Sequence, residues 1–368
     1  MNGRFPIVGD GTGSSRGDMF YREEVQLALR NRGMPLEGLR YPITPLGLHY
    51  LLIHFDIPHV DINEWRLKVA GMVAKPMEFT LDEIQKRPAK TITVTMECAG
   101  DGRALLNPRA ISQPWFTEAV GTAKWTGTPL WGILEEAGLD RGVVEILLTG
   151  LDEGVQQEEI QFYQRSLGLE EVRRSEVLLA YEMNDEPLPP QHGFPLRLLV
   201  PGWYGMASVK WLSRIEAVGK PFQGYQMAKS YRYSKTADDP GEPVTLIKVR
   251  ALMVPPGIPD FLTRVRLVRA GSVELTGRAW AGKVAVARVE VSVDGGVSWA
   301  DADLQEGRSP YAWKGWSYRW DARPGRYALC VKATDENGQA QPFSEPWNFL
   351  GMGNNMVQQV NVLVESGA

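Results

Sequence analysis

Apolar and polar positions along this chain keep one rhythm for about 240 residues and another after that. Thr91 to Glu97 alternates threonine with Ile92, Val94 and Met96, a period-two pattern that predicts a half-buried strand. Just before it, Thr80 and Glu83 form a T-x-x-E capping box that opens a short helix, stopped by Pro88. Thr128 and Pro129 open another helix that Gly138 closes. Tyr21 to Arg30 reads as a short helix within an otherwise extended arm. Strands are expected at Val143–Thr149, Val177–Glu182, Leu196–Val200 and Val209–Val218. Helices and strands mix without strict βαβ alternation, which predicts an α+β domain. Between Asp238 and Pro259 the chain is rich in proline and glycine. From Ser272 onward nearly every segment is a short alternating strand. Val289, Val291 and Val293 run into Asp294-Gly295-Gly296, a hairpin signal, with the strand resuming at Val297. Tyr327, Leu329 and Val331 alternate again before a turn at Asn337-Gly338. Such spacing over about a hundred residues predicts an all-β, immunoglobulin-like sandwich. The expected organisation is an arm at 1–40, an α+β domain at 41–250 and the sandwich at 251–368.

Composition narrows the class. The chain has 368 residues, 43% hydrophobic and 23% charged, which excludes a disordered or collagen-like protein. A net charge of −4 without any Lys/Arg-rich run argues against nucleic acid as a partner. No apolar stretch approaches ~20 residues, so no membrane-spanning helix is expected. The first 17 residues lack the apolar segment of a signal peptide, and either a cytoplasmic protein or an exported one after trimming would read this way. Two cysteines, Cys98 and Cys330, are too few for a disulfide framework. Four histidines form no zinc pattern, and P-loop, GxSxG and GxGxxG signatures are missing.

Cys98 carries the first candidate chemistry. It stands where the predicted strand ends in Cys98-Ala99-Gly100-Asp101-Gly102-Arg103, a glycine-containing loop that can present a side chain. A small buried hydrophobe is the other reading of a free cysteine, and Cys330, inside a sandwich strand, fits it. His192-Gly193-Phe194-Pro195-Leu196-Arg197, followed by Pro201-Gly202-Trp203-Tyr204-Gly205, combines cation donors with tight turns. That combination suits a phosphate or other anion, although a surface turn with a solvated arginine would look similar.

These runs carry a resemblance. TVTMECAGDGR resembles the CAGN-R loop of the sulfite oxidase family of molybdopterin-dependent oxidoreductases, and LLAYEMNDEPLPPQHGFPLRLLVPGWYGMASVKWLSRIEAV resembles that family nearly from end to end. GRAWAGKVAVARVEVSVDGGVSW resembles its C-terminal dimerisation domain, and PWNFLG a segment near its end. The likeness implies an α+β molybdopterin-binding domain of sulfite oxidase type followed by the sandwich, and identifies the chain as a haem-free, bacterial member. It implies that Cys98 binds molybdenum through its thiolate, a soft ligand for a redox metal. His54, Phe55, Asp56, Pro58, Asp152, His192, Arg197, Ser208, Val209 and Lys210 match positions that hold molybdopterin, one molybdenum per chain. Tyr231 matches an active-site tyrosine, and Arg103 and Trp115 match the substrate pocket. A homodimer and a separate electron acceptor such as a c-type cytochrome follow, since the chain has no CxxCH haem motif. The aromatic run Tyr311–Trp320 fits either the dimer interface or the core.

Two departures bear on substrate. Sulfite-oxidising members usually carry arginine where this chain has Leu52, and a further pocket arginine corresponds to Leu350. Two lost hydrogen bonds to an anion amount to about 3–6 kcal/mol. Asp101 replaces the loop's usual asparagine and either opposes an anion, unless Arg103 or Arg109 pairs with it, or caps the turn. The expected activity is two-electron oxygen-atom transfer, as oxidation of sulfite or a related sulfur compound. A nitrate or sulfoxide reductase, a dehydrogenase acting on carrier-bound sulfur, and a non-enzymatic binding protein remain as alternatives.

Overall fold

The computed structural model describes residues 4–5, 20–156, 158–344 and 347–366. Two five-stranded sheets build the N-terminal part. In the first, the order is Met77–Phe79, Leu67–Gly71, Leu212–Val218, Glu145–Gln156 and Glu159–Gly168. Leu212–Val218 runs parallel to Leu67–Gly71 and antiparallel to Glu145–Gln156, so a late segment of the domain lies between earlier ones. The second sheet is antiparallel throughout. Lys90–Glu97 pairs with Val120–Pro129, which pairs with Leu178–Met183, and that strand also carries Glu186–Pro187 and Arg197–Leu199. Leu67, Val69, Ile146, Leu148, Leu179, Leu198 and Ile215 belong to the core the sheets share.

The helices are short. Thr80 caps Leu81–Gln85 with both hydrogen bonds of the box to Glu83, and Gly138 closes Leu130–Ala137 at φ +68°. The short helix expected at Tyr21–Arg30 forms over Arg22–Arg30.

The C-terminal part is the expected all-β sandwich. One sheet orders Arg250–Met253, Gly271–Trp280, Lys314–Ala322 and Asp303–Leu304. The other orders Ile258–Pro259, Arg266–Arg269, Gln358–Glu365, Gly325–Asp335, Val286–Ser292 and Ala300–Asp301. Val249, Leu275, Val289, Val291, Trp316, Leu329 and Val362 fill the space between them.

One local expectation changes, one open reading is decided and one strand was not expected. The strand after Asp294-Gly295-Gly296 does not resume at Val297, which is 86% exposed; Ser292 and Asp294 hold a longer turn, through Ser292 Oγ and the Asp294 carboxylate, and pairing returns only at Ala300. The aromatic run Tyr311–Trp320 is core: Trp313, Trp316 and Trp320 are all buried, and the backbone around Tyr311 and Trp313 bonds to Thr95 of the other unit. The strand Glu159–Gly168, which carries Tyr163, has no counterpart in the sequence reading.

A buried ionic network ties the sandwich to the loop after Lys90–Glu97. Arg250 reaches Glu97 at 2.8 Å and Asp101 at 2.9 Å, and Trp280 Nε1 donates to the second Glu97 oxygen at 2.7 Å. Asn354 adds a bond to the Gly102 carbonyl at 2.7 Å. Asp101 is therefore a structural aspartate whose cation is Arg250, neither Arg103 nor Arg109. Arg109 pairs instead with Glu24 of the arm helix.

Candidate active site

The strand Lys90–Glu97 delivers Cys98 to the lining of a pocket. The Cys98 amide is held by the Ala119 carbonyl at 2.8 Å, and the Gly100 amide points at its sulfur at 3.4 Å. Gly102, at φ +83°, turns the chain immediately beyond. Cys98 is buried rather than open to solvent, and burial pushes its thiol up to about 11 although Arg103 opposes the shift. A thiolate here needs a cation bound to it.

The other walls come from four segments. His49 to Leu52 and His54 precede the first sheet, Asp152 and Tyr163 come from the Glu145–Gly168 hairpin, His192 and Arg197 from the Pro-Gly turns, and Ser208, Lys210 and Tyr231 from beyond them. Arg197 is buried, donating to the His192 and Ser208 carbonyls at 3.0 Å each, and stacks over Trp125. Lys210 Nζ donates to the Leu52 and Gln191 carbonyls at 2.8 and 3.1 Å. Burial, and then the charge of Arg197, pushes its ammonium down to about 7. Burial likewise brings His49 down to about 4, His54 to about 3 and His192 to about 2, so all three imidazoles are neutral at pH 7. Tyr231 shares a 2.5 Å hydrogen bond with His54 Nε2, and burial raises its phenol, which stays protonated. His54 in turn stacks on Tyr163, with ring centres 4.6 Å apart.

The residues present fit a molybdopterin group. His49 Nε2, Asp152 Oδ1 and Arg197 Nε are buried at this pocket without hydrogen-bond partners among the described residues. Buried polar atoms are normally paired, so these await a polar ligand. Two cations, an acceptor carboxylate and neutral imidazoles match an anionic, hydrogen-bonding guest. No cluster of three His, Cys, Asp or Glu occurs among the described residues. A metal at Cys98 would thus bring its remaining ligands with its own organic group.

Six of the ten residues expected to hold that group line the pocket: His54, Asp152, His192, Arg197, Ser208 and Lys210. Phe55, Asp56, Pro58 and Val209 do not. Phe55 packs against Gly154, Asp56 is exposed and pairs with Arg30, and Val209 is core. Of the four reacting-side residues, Cys98 and Tyr231 line it and Arg103 and Trp115 stand behind. Trp115 packs in the apolar cluster that contains Cys98. Arg103 spends its guanidinium on the Leu350 and Gln113 carbonyls at 3.0 and 3.4 Å and on Met352 Sδ at 3.3 Å. Leu52 lines the pocket, whereas Leu350 meets Arg103 through its carbonyl and packs elsewhere. Sequence reasoning missed His49, Tyr50, Met96, Tyr163 and Met206, whose types carry no metal or phosphate spacing.

The family described as oxidoreductase molybdopterin binding domain matches residues 54–226, and the Mo-co oxidoreductase dimerisation domain matches 247–365. Mitochondrial sulfite oxidase of Rattus norvegicus is 32% identical over 345 residues, covering 88% of this chain and 62% of the relative. An NADH nitrate reductase of Brassica napus is 30% identical over 343 residues, covering 85% of this chain and 37% of the relative. The chain thus spans less than two thirds of the length of these relatives. Among solved structures, the sulfane dehydrogenase SoxCD from Paracoccus pantotrophus shares the fold, with a TM-score of 0.78 at 24% identity, over 98% of this chain and 90% of that one.

Proposed function

The chain belongs to the sulfite oxidase family of molybdopterin-dependent oxidoreductases, and on that premise we propose that it oxidises sulfite or a related small sulfur compound by two-electron oxygen-atom transfer. The observation that carries the reading is that Cys98 lines one pocket together with Arg197, Lys210, Asp152 and His192. The reading assigns residues 41–250 to cofactor binding and 251–368 to dimerisation, with one cofactor per chain, a homodimer through the sandwich, and a separate acceptor such as a c-type cytochrome.

When bound, the molybdenum cofactor supplies the oxygen-atom and electron chemistry, with Cys98 as its protein ligand. Arg197 and Lys210 would hold its anionic group, and Asp152 and His49, whose buried Oδ1 and Nε2 lack partners among the described residues, would take hydrogen bonds from or give them to its polar groups. Holding Cys98 as a thiolate releases a proton from a thiol that otherwise keeps it to about pH 11. Tyr231 remains a neutral donor facing the pocket, its hydroxyl fixed by neutral His54. Leu52 and Met96 add apolar surface to the lining beside the thiol.

Sulfite-dependent reduction of ferricyanide by molybdenum-loaded protein tests the reading. Turnover with a micromolar KM supports it. Loaded protein that oxidises no sulfite but reduces nitrate with a chemical donor would move it to the reductase reading, which similarity to nitrate reductases favours.

A further inference from the structure

Arg165 lies beside the pocket and is not used by the cofactor reading. It comes from the strand Glu159–Gly168, two residues after Tyr163, and is only 3% exposed. Its guanidinium sits 5.5 Å from the centre of the Tyr231 ring. A terminal nitrogen donates to the Gln226 carbonyl, and Nε is buried without a partner among the described residues. Among the described residues it forms no salt bridge with a carboxylate, and the groups whose charge acts on it are Tyr163 and Tyr231. Buried guanidinium groups are ordinarily paired with an anion, and one left without a carboxylate beside a pocket is poised for an anion in that pocket.

We propose that Arg165 sets the charge preference of this pocket: from behind Tyr231 it supplies the positive field that a bound oxyanion meets. Leu52, which lines the same pocket, carries no charge, and Arg103, whose donors go to two carbonyls and a thioether, adds its charge on the Cys98 side, whereas Arg165 adds it on the Tyr231 side. Arg165 reaches the reacting region through the Tyr231 ring and through His54, whose imidazole its charge helps keep neutral after burial and Lys210. Because Tyr231 and not Arg165 lines the pocket, Arg165 is a positioning and specificity residue. The inference rests on the pocket's being the oxyanion site of the proposed function, but it predicts binding as well as turnover.

The test is calorimetric binding of sulfate, a dianionic oxyanion, and of neutral dimethyl sulfone to molybdenum-loaded protein, beside steady-state oxidation of sulfite. A guanidinium one ring away contributes roughly ten- to thirtyfold per unit of ligand charge. Arg165→Gln should weaken sulfate binding by about that factor, leave the sulfone unchanged, and raise KM for sulfite more than it lowers kcat. Arg165→Lys, which keeps the charge, should hold sulfate within roughly threefold of the parent. Leu52→Arg should restore sulfate binding to Arg165→Gln. Undiminished sulfate binding by folded, loaded Arg165→Gln overturns the proposal, as does equal weakening of sulfate and sulfone in both variants, the mark of a purely structural residue. Should Arg165→Gln fail to fold or load, Arg165→Lys decides, and its failure to retain sulfate, or to fold, likewise overturns it. Parent protein that binds sulfate through Arg165 yet oxidises no sulfite would sink the proposed function while this inference stands.

Discussion

At the scale of single residues, Cys98 shows how far an environment can oppose a role until a ligand arrives. Burial holds its thiol near 11, so at pH 7 about one molecule in ten thousand carries the thiolate. In cofactor-free protein, with Cys330 changed to serine, alkylation of Cys98 should therefore be slow at pH 7 and accelerate about tenfold per pH unit towards 11. Loaded protein should lose that pH dependence, and an alkylation midpoint near 8.5 would disprove the buried-thiol account. Cys98→Ser should abolish turnover while far-UV circular dichroism stays unchanged, because serine fits the same space without the soft donor. Leu52 carries the opposite kind of information. It lines the pocket, and Leu52→Arg would add a hydrogen bond to an anion worth about 1.5–3 kcal/mol, or roughly a ten- to hundredfold lower KM for sulfite. An unchanged KM would mean that the pocket does not take its oxyanion beside residue 52.

At the scale of elements, what was legible in the sequence depended on local rules. The Thr80–Glu83 box, the Gly138 stop and the Ile92–Val94–Met96 alternation each depend on neighbours a few residues apart, and each predicted element formed. Glu159–Gly168 was not legible because its apolar Ile160 and Phe162 are exposed while the polar Arg165 and Ser166 are buried, so hydrophobicity does not mark its inner face. The site was half legible for the same reason. Arg197, Lys210 and Cys98 sit in motifs, whereas Tyr163 and Arg165 become part of the site only through sheet pairing. Arg103 reads as a pocket residue in its loop, yet the approach of Leu350 and Met352 from the far end of the chain claims its guanidinium. Two glycines give this argument a thermodynamic check. Gly132 lies in the helix Leu130–Ala137 with open space where a Cβ would stand, so Gly132→Ala should stabilise by about 0.5–1 kcal/mol. Gly102 sits at φ +83°, with Asn354 2.9 Å from its missing Cβ. Gly102→Ala should cost about 1–2 kcal/mol from backbone strain, more with that contact, lowering the thermal midpoint by several degrees. Gly132→Ala with a midpoint no higher than the parent's would refute the first assignment, and Gly102→Ala with a midpoint no lower would refute the second.

At the scale of the whole molecule, the sandwich holds the loop that carries the thiol. Arg250, on the first strand of the sandwich, meets Glu97 and Asp101 on either side of Cys98, and all three are buried. Two carboxylates facing one guanidinium leave a surplus negative charge in a dry site. Burial pushes Glu97 up to about 7 and raises Asp101 as well, with Arg250 pulling both down. A carboxyl whose folded value lies above its unfolded value favours the folded state most below the unfolded value, near 4.5, and that favour is lost as pH rises through about 7. Removing the cation sharpens this dependence, because Arg250 is what tolerates the charged form. Arg250→Met should therefore destabilise by about 3–5 kcal/mol at neutral pH. The deficit against the parent should be smaller at pH 5, where Glu97 takes up a proton, and larger at pH 8. Urea unfolding of both proteins at the two pH values measures it. A deficit that does not vary with pH would mean that Glu97 does not take up a proton between pH 5 and pH 8 and would overturn the coupling of Arg250 to its titration. A deficit that grows with pH, together with falling cofactor retention, would make the sandwich a support of the catalytic loop as well as a dimerisation surface.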